Sequence, residues 1–321
     1  MEDRQQSLYY PNEIILEVTN HCNLNCRHCH FHGQEAVKKR PLGAMKKETW
    51  LRALEAIGTL PKPVTLLTHG AGEPLLYPQL EALLTEAKKI EGLNVGFMTN
   101  AMLLNDRWAD FLIDHQIDLI AFSIDGTEKA THDYFRRGAD LEKIERHVLN
   151  LINEKEKRNS FLPRLTFNMV AYPEIIDQSE AYVQKWLPHA SAVSIATFRP
   201  IGSRRLWQDA PPVDFRPCPL LYHQFVIGFD GTVGLCCEDI NSTVNLGSIL
   251  HRPIEEIYNS DAIKRYRHKH ETNDIDGLPL CRDCDVWAGD IPLASERLRL
   301  GEMSVQRTET PAFTSYKKSE D

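Results

Sequence analysis

The sequence predicts an α/β fold, a partial and open (β/α)6 TIM-like barrel followed by a small C-terminal domain. Six nearly continuous apolar runs precede Ile201, segments with helical periodicity separate them, and the alternation stops near that residue. Apolar runs of this kind are typical of parallel strands that are buried on both faces. Alternating strands and helices build right-handed βαβ units, and six repeats are too few to close an eight-stranded barrel.

Six short runs rich in β-branched residues define the predicted strands. They are EIILEV from Glu13, VTLLT from Val64, LNVGFMT from Leu93, LIAFSID from Leu119, RLTFNMVA from Arg164 and AVSIATF from Ala192. Between them, apolar residues recur with helical spacing, as in the stripe Leu141, Ile144, Val148 and Leu151. Such stripes predict helices that pack their apolar faces against the sheet.

A separate C-terminal unit is predicted after GSRRLWQDAPPVDFRPCP, whose Pro, Arg and Gly content indicates a linker. FVIGF and TVGLC flank Asp230-Gly231 and predict a hairpin. A helix is predicted from Pro253 to His270, because proline suits a first helical turn. From about Gly289 the chain is charged, and we expect this tail to be partly disordered. The predicted segments are 1–205, 206–288 and 289–321.

The composition limits the classes of function. Hydrophobic residues make up 42% of the 321 residues, enough for a sizeable core, and the net charge of −8 argues against a nucleic-acid-binding protein. The opening MEDRQQSLYY lacks an apolar targeting region, and no apolar run is long enough to span a bilayer. We therefore expect a cytoplasmic protein with no membrane partner, whose eight cysteines are reduced and act as metal ligands or catalytic groups.

The run HCNLNCRHCH follows the first predicted strand and carries Cys22, Cys26 and Cys29 with the spacing C-x3-C-x2-C. The loop at this strand end lies on the functional face of a β/α barrel. A Cys3His zinc site completed by a neighbouring histidine is one interpretation, and a reduced trio without a ligand is another. The spacing favours a third interpretation, an iron–sulfur cluster with one iron left open.

This motif resembles that of the radical S-adenosylmethionine (SAM) superfamily. The resemblance implies that Cys22, Cys26 and Cys29 bind three irons of a 4Fe-4S cluster. The fourth iron would take the amino and carboxylate groups of SAM. The family usually has an aromatic residue before the third cysteine, and here that position is His28.

Further motifs extend the resemblance over about residues 13–200. THGAGEPLL follows the second strand and resembles the family's GGE motif, which implies that Glu73 accepts a hydrogen bond from the methionyl ammonium. The other implied SAM contacts lie at the ends of strands two to four and are Gly72, Asn100, Ser123 and Asp125.

Arginines near these motifs have two interpretations each. Arg137 in YFRRG either neutralises the SAM carboxylate or is a solvated arginine at a helix end. Arg199, Arg204 and Arg205 either line the substrate cavity or are surface arginines of the linker, and the second interpretation is favoured for the last two.

The second cysteine set has the spacing C-x17-C-x44-C-x2-C and resembles the SPASM/Twitch domain of radical SAM enzymes in its short form. The resemblance implies that one auxiliary 4Fe-4S cluster is held by four thiolates and serves electron transfer. The implied ligands are Cys218, Cys236, Cys281 and Cys284.

Cys237 lies beside Cys236 and is the candidate catalytic residue. It is either a small neighbour of the cluster or a thiol that returns a hydrogen atom to the substrate radical, as in radical epimerases that resemble this architecture. The family's shared chemistry is abstraction of a hydrogen atom by a 5′-deoxyadenosyl radical. Dehydrogenation and epimerisation of the resulting substrate radical both remain open.

The substrate and partners are expectations of the same resemblance. The match to short, single-auxiliary-cluster enzymes favours a small polyol, sugar or aminocyclitol, and we expect no peptide-recognition domain before Glu13. The alternatives are a ribosomal-peptide maturase or epimerase and, as a different class, a non-catalytic iron–sulfur or zinc-binding protein. The expected electron donor is a flavodoxin or ferredoxin.

Overall fold

The computed structural model describes residues 8–34, 36, 40–198 and 214–319. Within these ranges all the strands belong to one sheet. The strands are β1 Glu13–Leu16, β2 Val64–Leu67, β3 Leu93–Thr99, β4 Leu119–Ser123, β5 Arg164–Ala171, β6 Ala192–Thr197, β7 Gln224–Ile227, β8 Thr232–Gly234, β9 Gly247–Ser248, β10 Ala294–Leu300, β11 Met303–Glu309 and β12 Phe313–Lys318.

The same described ranges contain nine α-helices. They are α1 Lys47–Gly58, α2 Leu80–Ala87, α3 Asp106–Asp114, α4 Lys129–Phe135, α5 Leu141–Lys157, α6 Ser179–Trp186, α7 Leu220–His223, α8 Ile254–Tyr258 and α9 Asp261–Glu271. In the part of the chain that is described, no helix is long and apolar enough to cross a membrane.

The six-stranded partial barrel predicted from the sequence is confirmed. Strands β1 to β6 lie side by side in chain order, and each neighbouring pair is parallel. Their side chains alternate: Ile14 and Leu16 are fully buried towards the helices, whereas Ile15 and Glu17 point to the concave face. The carboxyl ends of all six strands therefore meet at one end of the concave face.

The C-terminal unit continues the barrel sheet. The predicted hairpin forms as β7 and β8, with Gly231 in the left-handed region at a φ of 83°. Strand β7 also pairs in parallel with β1, Ile14 opposite Phe225. The helix predicted from Pro253 to His270 is two helices, α8 and α9, and the boundary predicted at residue 205 lies outside the described residues.

The tail predicted to be partly disordered from Gly289 is instead a three-stranded antiparallel extension of the sheet. Strand β12 pairs with β6, β11 with β12 and β10 with β11. Val305 is fully buried, and apolar side chains on the same face, such as Leu298 and Tyr316, pack against the core. The expectation was wrong because the charged residues of this tail alternate with apolar ones, so that one face of each strand is apolar.

Candidate functional site

The loop after β1 carries Cys22, Cys26 and Cys29 close together. The Cys29 N–H donates to the Cys26 carbonyl at 3.0 Å. The sulfur of Cys22 accepts a hydrogen bond from the Leu24 N–H at 3.5 Å, and the sulfur of Cys29 accepts one from the His32 N–H at 3.1 Å. Burial raises the pKa of the Cys22 thiol to about 12 and also raises that of Cys26. Thiolates in this environment need a cationic partner, so the donor set fits an iron–sulfur cluster.

This cysteine loop is fixed to the end of α4 and, through Asn100, to the carboxyl end of β3. The Asn25 N–H donates to the Arg137 carbonyl at 3.0 Å, and the Arg27 N–H donates to the Phe135 carbonyl at 2.8 Å. The Asn100 amide donates to the Asn23 side chain at 2.9 Å. The cysteine loop, the segment after β3 and the end of α4, which are far apart in the sequence, are therefore joined by hydrogen bonds.

Gly72 and Glu73 lie directly against the cysteine loop. A Cβ on Gly72 would come 2.5 Å from the carbonyl oxygens of Thr19 and His21, so only glycine fits there. The Glu73 N–H donates to the His21 carbonyl at 2.8 Å. The second and first strand loops are therefore in contact at Gly72.

The Glu73 carboxylate is buried and points into the same region. It accepts hydrogen bonds from the Thr99 hydroxyl at 2.7 Å, the Asn100 N–H at 2.9 Å and the Leu75 N–H at 3.2 Å. A carboxylate has about four acceptor positions, so these three bonds leave one for a ligand ammonium group. Burial raises the pKa of Glu73 to about 7 in the absence of such a cation.

The other predicted SAM contacts differ in their surroundings. Ser123 is half-buried at the end of β4, between the fully buried Phe122 and Ile124. The side chain of Asn100 is held on both sides, because its amide donates to Asn23 and its oxygen accepts the Met102 N–H at 3.0 Å. The geometry thus gives Asn100 a role in joining β3 to the cysteine loop.

Asp125 forms a buried ion pair with Arg136. Its oxygens lie 2.8 and 3.0 Å from the Arg136 guanidinium, and it also accepts the Val170 N–H at 2.9 Å. Burial alone would raise the pKa of Asp125, but Arg136 outweighs it and lowers that pKa. Sequence reasoning singled out Arg137, whereas the arginine buried in this ion pair and close to Cys26 is its neighbour Arg136.

An aromatic group flanks the third cysteine. The His28 ring meets Tyr172 edge to face at 5.6 Å, and Tyr172 stacks on Phe135 at 3.8 Å. The buried Nδ1 of His28 has no hydrogen-bond partner among the described residues, and burial lowers the pKa of His28 to about 4. A neutral imidazole therefore occupies the position that is usually aromatic.

The second cysteine set comes together across the C-terminal unit. Burial raises the pKa of Cys218 to about 12, and nearby Cys284 adds to this rise. Burial also raises the pKa of Cys236, with contributions from Cys237 and Cys218. The Cys284 N–H donates to the Cys281 carbonyl at 3.0 Å, which folds CRDC into a turn. The buried thiols fit a second cluster on the same grounds as the first.

No disulfide joins any of the eight cysteines. Among the described residues, no three His, Cys, Asp or Glu side chains surround a single point closely enough to hold one metal ion. A zinc site needs all its ligands on one ion, whereas a four-iron cluster binds each thiolate at a separate iron.

A cavity of about 110 Å³ lies between the concave face of the barrel and the C-terminal unit. Its lining includes Ala71, beside Gly72, and also Cys236 and Cys237. The Cys237 side chain has accessible surface, and the surrounding protein raises the pKa of its thiol to about 12. The thiol is therefore protonated at neutral pH and borders the cavity.

The cavity-lining residues that the sequence did not mark as candidates include Glu17, Arg40 and His69. The sequence does carry a signal for Glu17. Residues two apart in a strand share a face, so Glu17 is predicted to lie on the same face as Glu13 and Ile15. No local pattern marks Arg40, because its partner is distant in the sequence. Arg199, Arg204 and Arg205 lie outside the described residues.

Family models match both parts of the chain. The model of the Radical SAM superfamily matches residues 16–184, and the model of an iron-sulfur cluster-binding domain, SPASM, matches residues 218–285. The tungsten-containing aldehyde ferredoxin oxidoreductase cofactor-modifying protein of Pyrococcus furiosus is 28% identical over 168 residues. That match covers 50% of this chain and 44% of the relative, so the chain spans less than half of that relative's length.

Two solved structures show the same fold. The structure of BtrN in complex with AdoMet and 2-DOIA has a TM-score of 0.61 at 17% identity, covering 87% of this chain and 94% of BtrN. Streptococcus suis SuiB bound to precursor peptide SuiA has a TM-score of 0.62 at 13% identity, covering 79% of this chain and 66% of SuiB. At these identities the likeness shows the fold alone.

Proposed function

The chain belongs to the radical SAM superfamily and carries a C-terminal SPASM domain, and we propose that it abstracts a hydrogen atom from an unactivated C–H bond of a small polyol, sugar or aminocyclitol. Its cofactors are SAM and two 4Fe-4S clusters. When bound, the first cluster supplies the electron that cleaves SAM to methionine and a 5′-deoxyadenosyl radical, and the auxiliary cluster supplies a second electron-transfer site.

We propose which residues hold these groups. The first cluster is assigned to Cys22, Cys26 and Cys29, in the loop that contacts Gly72. The vacant acceptor position of Glu73 binds the SAM ammonium, which would return the Glu73 pKa towards its ordinary range. The auxiliary cluster is assigned to the remaining set, Cys218, Cys236, Cys281 and Cys284.

The cavity supports a small substrate. Its volume of about 110 Å³ suits a small polar molecule, and its wall includes Glu17, Arg40 and His69. The buried Nδ1 of His69 has no partner in the described ranges, and burial lowers the pKa of His69 to about 4, so a neutral ring is available to a substrate hydroxyl. A peptide substrate, suggested by the SuiA complex of SuiB, is the alternative.

Cys237 carries the proposed outcome of the reaction. Its protonated thiol lines the same cavity as Ala71, which follows directly on the SAM-motif residue Gly70. Return of the thiol hydrogen atom to the substrate radical gives an epimer and leaves a thiyl radical at Cys237, and an electron passed through the auxiliary cluster together with a proton from solvent would restore the thiol. Dehydrogenation of an alcohol is the second candidate, favoured by the complete four-cysteine set, and it would use His69 as the neighbour of the hydroxyl that loses its proton.

Mass spectrometry in D2O separates the two outcomes. The reconstituted enzyme is reduced with dithionite, or with a flavodoxin or ferredoxin as the proposed physiological donor, and offered SAM with a panel of aminocyclitols and inositols. Thiol hydrogens exchange with solvent, so epimerisation adds one deuterium to the product, whereas dehydrogenation removes two hydrogen atoms. If no member of the panel yields 5′-deoxyadenosine above the background level and a peptide is turned over instead, the small-substrate proposal is overturned.

A further inference from the structure

Strand β1 presents a row of acidic side chains to the C-terminal unit. Glu13 and Glu17 lie on its concave side, on either side of Ile15, which borders the cavity. Each carboxylate holds a second polar side chain, Gln224 at Glu13 and Arg40 at Glu17. Both of these partners reach the loop of residues 236–244, which carries Cys236 and Cys237.

Glu17 and Arg40 join three loops through one ion pair. The two guanidinium Nη atoms of Arg40 donate to the two oxygens of Glu17, Nη2 to Oε2 at 2.6 Å. The Ala71 N–H donates to the same Oε2 at 2.9 Å, and Arg40 Nε donates to the Ile240 carbonyl at 2.8 Å. The pair thus links β1 to the motif that contains Gly72–Glu73 and to the loop that contains Cys237.

The sequence of the SAM motif is adapted to this contact. A Cβ on Gly70 would lie 2.6 Å from Cγ and 2.7 Å from Oε2 of Glu17. The glycine in THGAGEP that precedes Ala71 is therefore required for the Ala71 N–H to reach the carboxylate. The close approach ties the position of Glu17 to the position of the SAM motif.

The loop of residues 236–244 is cross-linked by its own hydrogen bonds, so a displacement of Ile240 also moves Cys237. Asp239 accepts the N–H groups of Thr243 and Val244 at 2.8 and 2.7 Å, and its own N–H donates to the Cys236 carbonyl at 3.1 Å. The Cys237 N–H donates to Gln224 at 2.9 Å, and Gln224 donates to Glu13 at 2.7 Å. The loop is held to β1 at two points.

A purely stabilising ion pair would not need this arrangement. The side chains of Glu17 and Arg40 are only 5% and 14% exposed, and burying two charges costs desolvation that the attraction between them offsets only in part. Lys88 and Asp118 form a similarly buried pair, but theirs joins the end of α2 to the start of β4 and contacts neither cysteine loop. That pair therefore serves as an internal control.

We propose that Glu17 and Arg40 are positioning residues that couple the SAM motif at Gly72–Glu73 to the loop bearing Cys237. Binding of SAM fixes the Ala71 N–H, the Glu17 carboxylate and Arg40 in turn, and Arg40 holds residues 236–244 over the cavity. The coupling rests on the proposed function, because it requires SAM to bind at Gly72–Glu73. Its consequence is that the cavity wall carrying Cys237 is held more rigidly when SAM is bound.

Hydrogen–deuterium exchange of the reconstituted protein, with and without SAM, tests the coupling. In the wild-type protein SAM should slow exchange in residues 69–76 and also in residues 236–244. Arg40→Lys keeps the positive charge, but lysine cannot hydrogen-bond both oxygens of Glu17 and the Ile240 carbonyl at once. Because charge-assisted hydrogen bonds are lost, amide exchange in residues 236–244 should speed up about tenfold or more. In that variant, SAM should protect residues 69–76 alone.

A second variant keeps the test decisive if Arg40→Lys fails to fold. Gly70→Ala displaces Glu17 without changing any charge and should give the same exchange pattern, whereas Lys88→Gln should leave residues 236–244 as in the wild type. Protection of both segments by SAM in Arg40→Lys and Gly70→Ala would overturn the coupling. No protection of residues 69–76 in the wild type would instead contradict SAM binding at Gly72–Glu73, and the proposed function with it.

Discussion

Replacement of Gly72 by alanine is the sharpest steric test of the SAM site. The added Cβ would lie 2.5 Å from two carbonyl oxygens, those of Thr19 and His21, and 2.8 Å from the Asn20 carbonyl carbon. Ordinary contacts of a Cβ begin at about 3.4 Å, so the two loops must separate by about 0.9 Å. All of the atoms in contact are backbone, so no side chain can rotate away.

The expected cost follows from that displacement. Forced repacking of this size destabilises by about 1–3 kcal/mol. A misplacement of about 1 Å costs up to about a hundredfold in a site that depends on orientation. We therefore expect Gly72→Ala to lower the melting temperature by several degrees and to weaken SAM binding at least about tenfold.

Equilibrium dialysis of SAM against the anaerobically reconstituted protein measures the binding, and thermal denaturation measures the stability. Gly58 is a matched control, because a Cβ on it meets nothing within 4 Å. Gly58→Ala lies at the end of α1 and should be neutral or slightly stabilising. Wild-type affinity for SAM in Gly72→Ala would refute the placement of SAM against Gly72.

Three further outcomes are expected. Cys26→Ala should abolish cleavage of SAM while Cys281→Ala retains some cleavage uncoupled from product, as followed by chromatography of 5′-deoxyadenosine, and full cleavage in Cys26→Ala would contradict the ligand assignment. Burial raises the pKa of Glu73 to about 7, so its ionised form is lost as the pH falls. SAM should therefore bind about tenfold more weakly at about pH 6 than at about pH 8. An affinity for SAM that does not change over this pH range would exclude the carboxylate–ammonium contact. Val305→Ala should cost about 2 kcal/mol in chemical denaturation because Val305 is fully buried in β11, whereas the exposed Arg297→Ala should cost almost nothing, and equal effects would contradict the folded tail.

Local patterns were sufficient for the barrel and for the cysteine motifs. Each of the six apolar runs starts a strand at the predicted residue, because β-branched residues and burial on both faces act locally. The pairing of β7 with β1 was not predictable in this way, since it joins residues that are more than two hundred positions apart and depends on the whole barrel. The strands of the tail were not predicted because its many charged residues obscure the alternation of apolar and polar positions. That alternation places Leu298, Leu300 and Val305 on one face.

The placement of side chains was predictable where a motif carries it and unpredictable where distant side chains meet. Glu73 was singled out from its motif, and the structure places its buried carboxylate against the end of β3, while its role in binding SAM stays a prediction. Arg136 and Arg137 are adjacent in the sequence, and only the packing of α4 shows which one meets Asp125. Arg40 reaches Glu17 and Ile240 across loops whose relative position no local pattern specifies.

The central claim is that this chain holds two iron–sulfur clusters, one of them at the loop of Cys22, Cys26 and Cys29. The most direct test is to reconstitute the protein without oxygen and to count iron, sulfide and zinc per chain. The assignment predicts about eight irons and about eight sulfides, falling to about four of each when the cysteines of either set are replaced by alanine. Bound zinc without sulfide would contradict it.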